Sequence, residues 1–104
     1  MKYLFDSKGR HIANEVNGQL HSPRGKNIGH YLSSVGFFID MRGYYLGEIL
    51  FENRLLHRLN NGYGNTCFGS YGNYGNIGNY GNPGNYGSIG YVSGYKDVDM
   101  EKLE

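Results

Sequence analysis

The chain of 104 residues has no tryptophan, only two prolines and a single cysteine, Cys67. One cysteine excludes an internal disulfide framework and leaves no cysteine-based zinc set. Two prolines exclude collagen as the reading of the glycine-rich half, because collagen needs ring residues in many of its triplets. No apolar run is long enough to span a membrane, and the start M-K-Y-L-F-D lacks the apolar stretch of a signal peptide. Charge is missing altogether from Leu59 to Tyr95. The expectation is therefore a protein without a membrane or an oxidising compartment, with the cytoplasm as its default place.

What charge there is lies at the two ends. Residues 1–58 carry eight Lys and Arg against five Asp and Glu, a net +3, and the tail 96–104 carries a net −2. An excess of that size on a small domain argues against nucleic acid as a partner. The aliphatic residues are concentrated in residues 1–58. A core drawn from so few residues is marginal alone, so self-association or packing of the glycine-rich half against it is expected.

Three segments of residues 1–58 align without gaps: L-F-D-S-K-G-R-H-I-A-N-E-V from Leu4, L-H-S-P-R-G-K-N-I-G-H-Y-L from Leu20 and F-I-D-M-R-G-Y-Y-L-G-E-I-L from Phe38. Each reads as a β-hairpin. Asp6, Ser22 and Asp40 sit where the first residue of a type I turn caps the backbone. Gly9, Gly25 and Gly43 sit where the chain needs positive φ on leaving the turn. Asn17-Gly18 joins the first two units as a hairpin turn of its own. A degenerate fourth unit is expected from R-L-L-H-R-L through Asn60-Asn61-Gly62 to Phe68. The pattern predicts a mainly β fold, an antiparallel meander of about eight short strands in three to four repeated hairpins. Only Asp99–Glu104 suggests a short helical turn. Ala13, Gly29 and Gly47 repeat at equivalent strand positions, which predicts either close approach of another backbone or a bulge in each hairpin.

The units D-x-[KR]-G-x-x-[IL]-[AG] at Asp6–Ala13 and Asp40–Gly47, with S-P-R-G-K-N-I-G between them, resemble those of an uncharacterised bacterial family, the 4-fold beta flower proteins. The resemblance covers residues 3–58. It implies hairpins set like petals around a pseudo-fourfold axis, and it implies no activity, catalytic residue or cofactor.

Residues 69–95 form a Gly-x-x segment, with glycine at every third position from Gly69 to Gly90. Three residues per turn match a polyproline-II-type helix, with glycines on one stripe and Asn or Ser, including Asn76 and Asn79, on another. A straight rod of this length would reach roughly 75 Å, against a radius of gyration of about 13 Å for a compact domain of this size. The segment must therefore project, fold back into rods packed at their glycine stripes, or stay disordered. Its aromatics and lack of charge argue against a fully solvated coil.

Candidate chemistry is sparse. His11, His21, His30 and His57 fall at different points of the repeat and show no metal-ligand spacing. Cys67 and His57 are the one conceivable nucleophile and base. Glu15 and Glu48 form no carboxylate pair, and G-x-G-x-x-G occurs trivially in a glycine-rich run. Lys8, Arg24 and Arg42 occupy the same point of each turn and would form a cationic rim for an anionic partner if the hairpins surround an axis. The seven Tyr and eight Asn from Leu59 to Tyr95 suit stacking on a glycan or nucleic acid, or self-packing. The sequence thus points to a non-enzymatic structural or interaction module, self-associating, without cofactor or metal. The alternative is a ligand-binding module that uses the Lys/Arg rim or the Tyr/Asn surface.

Overall fold

A computed structural model describes residues 1–78 and 80–103. Asn79, on the Asn stripe of the triplets, and Glu104, at the end of the acidic tail, lie outside the described residues.

Eight strands follow one another: β1 (Lys2–Phe5), β2 (His11–Val16), β3 (Gln19–His21), β4 (Asn27–Leu32), β5 (Phe37–Asp40), β6 (Tyr45–Leu50), β7 (Arg54–Arg58) and β8 (Tyr95–Asp97). A short 3-10 turn, Met100–Leu103, ends the chain. Each strand pairs antiparallel with the next, and β1 also pairs parallel with β7 at Phe5 and Arg54. That pairing closes seven strands into a barrel, with β8 as an extra strand on β7.

The three hairpins β1–β2, β3–β4 and β5–β6 share one hydrogen-bond scheme. The turn glycine N–H donates to the carbonyl of the capping residue: Gly9 to Asp6, Gly25 to Ser22 and Gly43 to Asp40, at 2.8–3.1 Å. The capping side chain then holds the turn. Asp6 Oδ1 accepts from the N–H groups of Lys8 and Arg10, Asp40 Oδ1 from those of Arg42 and Tyr44, and Ser22 Oγ from that of Lys26. Each pairing shifts register at the same place, at Leu4/Phe5, Leu20/His21 and Phe38/Ile39. The two explanations for the small residues hold together at the two glycines, while Ala13, opposite Leu4 at the first shift, carries its methyl group. Gly29 and Gly47 lie opposite the shift, and a methyl group on either would come within 2.5 Å of the Ile39 carbonyl or 2.7 Å of the Leu56 carbonyl.

Strand pleating sorts the side chains onto two faces. Leu4, Ile12, Leu20, Ile28, Phe38, Leu46 and Leu55 make one cluster, which Val98 and Leu103 of the C-terminal segment complete. Phe37, Ile39 and Tyr45 lie apart in a second cluster, under Tyr63 and Phe68. The glycine-rich half therefore covers part of the barrel wall.

The fourth hairpin differs from the expected one. Residues 63–68 are not its second strand. β7 pairs instead with β8, through Leu56–Asp97, His57–Lys96 and Arg58–Tyr95. Residues 59–94 are the loop of that hairpin, and its ends meet where the Leu59 N–H donates to the Gly94 carbonyl at 2.8 Å. The loop visits the other turns in reverse order. The N–H of Phe68 donates to Gly43, that of Ile77 to Gly25 and that of Tyr86 to Gly9, at 2.8–2.9 Å. Residues 59, 68, 77 and 86 are nine apart, so three triplets span the step from one hairpin to the next. We call this loop the belt. The belt neither projects nor doubles back on itself: the radius of gyration is 12.9 Å and the longest dimension 34 Å. Nor is it a uniform polyproline-II rod, because Gly69, Gly75, Gly81, Gly84 and Gly90 have φ between 70° and 94°.

Candidate functional site

The turn glycines form a cradle for the belt. Gly25 has φ +96°, and a side-chain carbon there would overlap the carbonyl of Ile77. Gly9 stands likewise against Tyr86, and Gly43 against Gly69. The bare turn lets the belt backbone reach the glycine carbonyl, and the side chains beside each anchor pack onto the barrel. Phe68 and Tyr63 lie against Phe37, with ring centroids 5.6 and 4.9 Å away. Tyr71 and Tyr74 flank His30 at 5.2 and 5.4 Å, and Tyr86 lies 4.3 Å from Phe5.

Arg54, which sequence reasoning did not single out, joins belt to barrel at the closing seam. Its guanidinium is buried and donates to the carbonyls of Asp6 (3.0 Å) and Gly87 (2.7 Å), while the ring of Tyr86 lies 5.9 Å away. The same seam is held by the Asp97 carboxylate, which accepts from the Ser7 N–H and Oγ at 2.8 and 3.0 Å. Neither residue carries a local motif. Their partners are 33 to 90 residues away in sequence.

Two polar groupings lie under the belt. His30 is buried, with Nδ1 bonded to Gln19 Oε1 and Nε2 without a partner among the described residues. Burial holds its pKa below the ordinary histidine value. Tyr45 Oη donates to Glu48 Oε2 (2.7 Å) and accepts from the Arg58 N–H (3.0 Å). Its pKa is raised well above that of a free phenol, chiefly by burial and further by the Glu48 carboxylate, against a lowering contribution from the Arg58 N–H. Glu48 in turn raises the pKa of Arg58, its ion-pair partner at 3.4 Å.

Lys8, Arg24 and Arg42 are all exposed. Arg42 lines a cleft of about 850 Å³ that also holds Asp40, Glu101 and Lys102, and Asp40 pairs with Lys102 at 3.5 Å. Arg24 lines a separate cleft of about 350 Å³, and Lys8 lines neither. Cys67 and His57 do not bond to each other. Cys67 Sγ is exposed and donates to the Arg42 carbonyl, and His57 Nδ1 bonds the Leu46 carbonyl. No group of three or more His, Cys, Asp and Glu among the described residues is placed to hold a metal ion.

No family model, curated protein or solved structure matches the chain. Tyr71, Tyr74, Tyr80, Tyr86 and Tyr91 are exposed on the belt, with Tyr74 66% and Tyr91 82% accessible. Among the described residues no helix is long and apolar enough to cross a membrane.

Proposed function

We propose that the chain is a non-enzymatic interaction module of the cytoplasm that associates with itself through its belt, and that it belongs with the 4-fold beta flower proteins. The observation that carries this reading is the exposure of five tyrosines on an uncharged backbone wrapped around a closed barrel. Tyrosine offers a large rigid contact area at low entropic cost, and neighbouring Asn and Ser supply adaptable hydrogen bonds. A pseudo-fourfold arrangement is supported by the shared scheme of three hairpins, by β7–β8 in the fourth place and by belt anchors every nine residues.

Sedimentation at rising concentration tests the proposal. Reversible self-association that weakens in the double variant Tyr74→Ser/Tyr91→Ser, and is unaffected by Cys67→Ala, is the expected result. A monomer at millimolar concentration would refute it. The ligand-binding alternative draws support from the clefts beside Arg24 and Arg42, and the first of these carries an argument of its own.

A further inference from the structure

The cleft of about 350 Å³ lies between the first two hairpin turns and the belt. The barrel contributes Arg10, His11 and Arg24, and the belt contributes Asn82 and Asn85. Among the described residues no carboxylate lines it, unlike the larger cleft with its Asp40 and Glu101. We propose that this cleft binds the phosphate group of a small phosphate monoester.

The donors are arranged for that task. The Arg24 guanidinium has no hydrogen bond or ion pair among the described residues. Arg10 gives only Nε to Asp6 Oδ2, at 3.2 Å, and its side chain stays 60% exposed while that of Asp6 is 2% exposed. The carboxylate thus steadies the arginine from behind and leaves both Nη groups open. Planar guanidinium groups with free N–H pairs bind phosphate oxygens two at a time. On the belt side, Asn82 Oδ1 accepts from the Gly84 N–H at 2.8 Å, which leaves its Nδ2 as the outward donor. The Asn85 amide has no partner among the described residues. His11 Nε2 is held by Asn14 Oδ1 at 2.7 Å, which fixes the ring at the cleft wall. The volume falls at the lower end of the range for small-molecule sites, about 300–1,000 Å³, and suits a sugar phosphate better than a polymer. Barrel and belt both supply donors, so the site is complete only with the belt in place. The proposal stands whether or not the chain self-associates.

Amide NMR of the full chain, titrated with inorganic phosphate and with glucose 6-phosphate at constant ionic strength, tests it. Saturable shifts confined to Arg10, Arg24, Asn82, Asn85 and their neighbours are expected with both probes. Tighter binding of the ester would add that the cleft also contacts the organic part, and equal binding would assign recognition to the phosphate alone. Arg24→Gln should weaken binding at least tenfold and Arg10→Gln/Arg24→Gln should abolish it, with the rest of the spectrum unchanged, whereas Lys8→Gln should leave it intact. Shifts that fail to saturate, that spread over the basic residues generally, or that survive in the double variant would overturn the assignment.

Discussion

At Gly25, in the second hairpin turn, an added methyl would overlap the carbonyl of Ile77. At Gly78, one residue beyond that carbonyl on the belt, it would meet nothing within 4 Å. The two glycines face each other across the same contact and are needed in different degrees. The turn glycine supplies both the left-handed backbone and the space into which the belt sinks. The belt glycines form no packed seam: a methyl at Gly72, Gly75, Gly78 or Gly81 meets nothing within 4 Å. Some, such as Gly75 at φ +89°, are needed for backbone conformation alone. The close approach implied by the glycine period lies on the barrel side of the interface.

Substitutions that treat the two sides alike are the way to break this contrast. The largest effect is expected for Gly25→Val. Backbone strain and overpacking together cost roughly 3–5 kcal/mol, and urea unfolding should show a loss of that size along with loss of protection at Ile77. Tolerance of valine there would mean that the cradle is not real. Arg54→Met comes next. It removes two charge-assisted hydrogen bonds, leaving the Asp6 carbonyl with the Gly9 N–H alone and the Gly87 carbonyl without its guanidinium donor, at an expected cost of about 3 kcal/mol. A change under 1 kcal/mol would place the seam's strength elsewhere.

The belt itself sharpens the contrast. Gly75→Ala should cost about 1 kcal/mol for a left-handed alanine. Gly78→Ala should be neutral or slightly stabilising, because it restricts the unfolded chain and crowds nothing. Equal losses at the two positions would restore the packed-stripe reading.

A smaller effect should come from His30. Its folded pKa lies below the ordinary 6.5, so the folded state binds its proton less readily than the unfolded chain. The resulting stability is fully present above pH 6.5 and is lost as pH falls through the lower folded value. Urea midpoints at pH 7.5 and pH 5 should therefore differ more in the native chain than in His30→Gln. The smallest effect is expected for Lys8→Gln/Arg24→Gln/Arg42→Gln, which should change stability by less than about 0.5 kcal/mol. A larger loss would mean that the turn tips are structural.

The hairpins were legible because their chemistry is local. Asp6 and Gly9, or Asp40 and Gly43, lie three residues apart and define a turn without reference to the rest of the chain. The belt was not legible, because a nine-residue structural step was hidden beneath a three-residue compositional one. Nothing in Phe68, Ile77 or Tyr86 distinguishes an anchor from its neighbours until the turn carbonyls are in place. The second strand of the fourth hairpin was misplaced for the same reason, since Tyr95–Asp97 follows a loop of 36 residues and the hairpin lacks the capping signature of the other three. Of the candidate site, Arg24 was legible from its place in the turn. Its companions in the cleft were not: Arg10 is placed by its pairing with Asp6, and Asn82 and Asn85 by the path of the belt.

Amide hydrogen exchange along residues 63–92 tests the central claim, that a glycine of each barrel turn takes up the belt once every nine residues, more directly than any substitution. Phe68, Ile77 and Tyr86 donate to the turn glycines, Tyr74 to Asn27 Oδ1 and Ile89 to the Ser7 carbonyl, so these amides should be protected well above those of the remaining exposed triplets, and Gly25→Val should remove the protection at Ile77 first. Protection of Tyr71 equal to that of Ile77, or exchange at the coil rate throughout, would contradict the account.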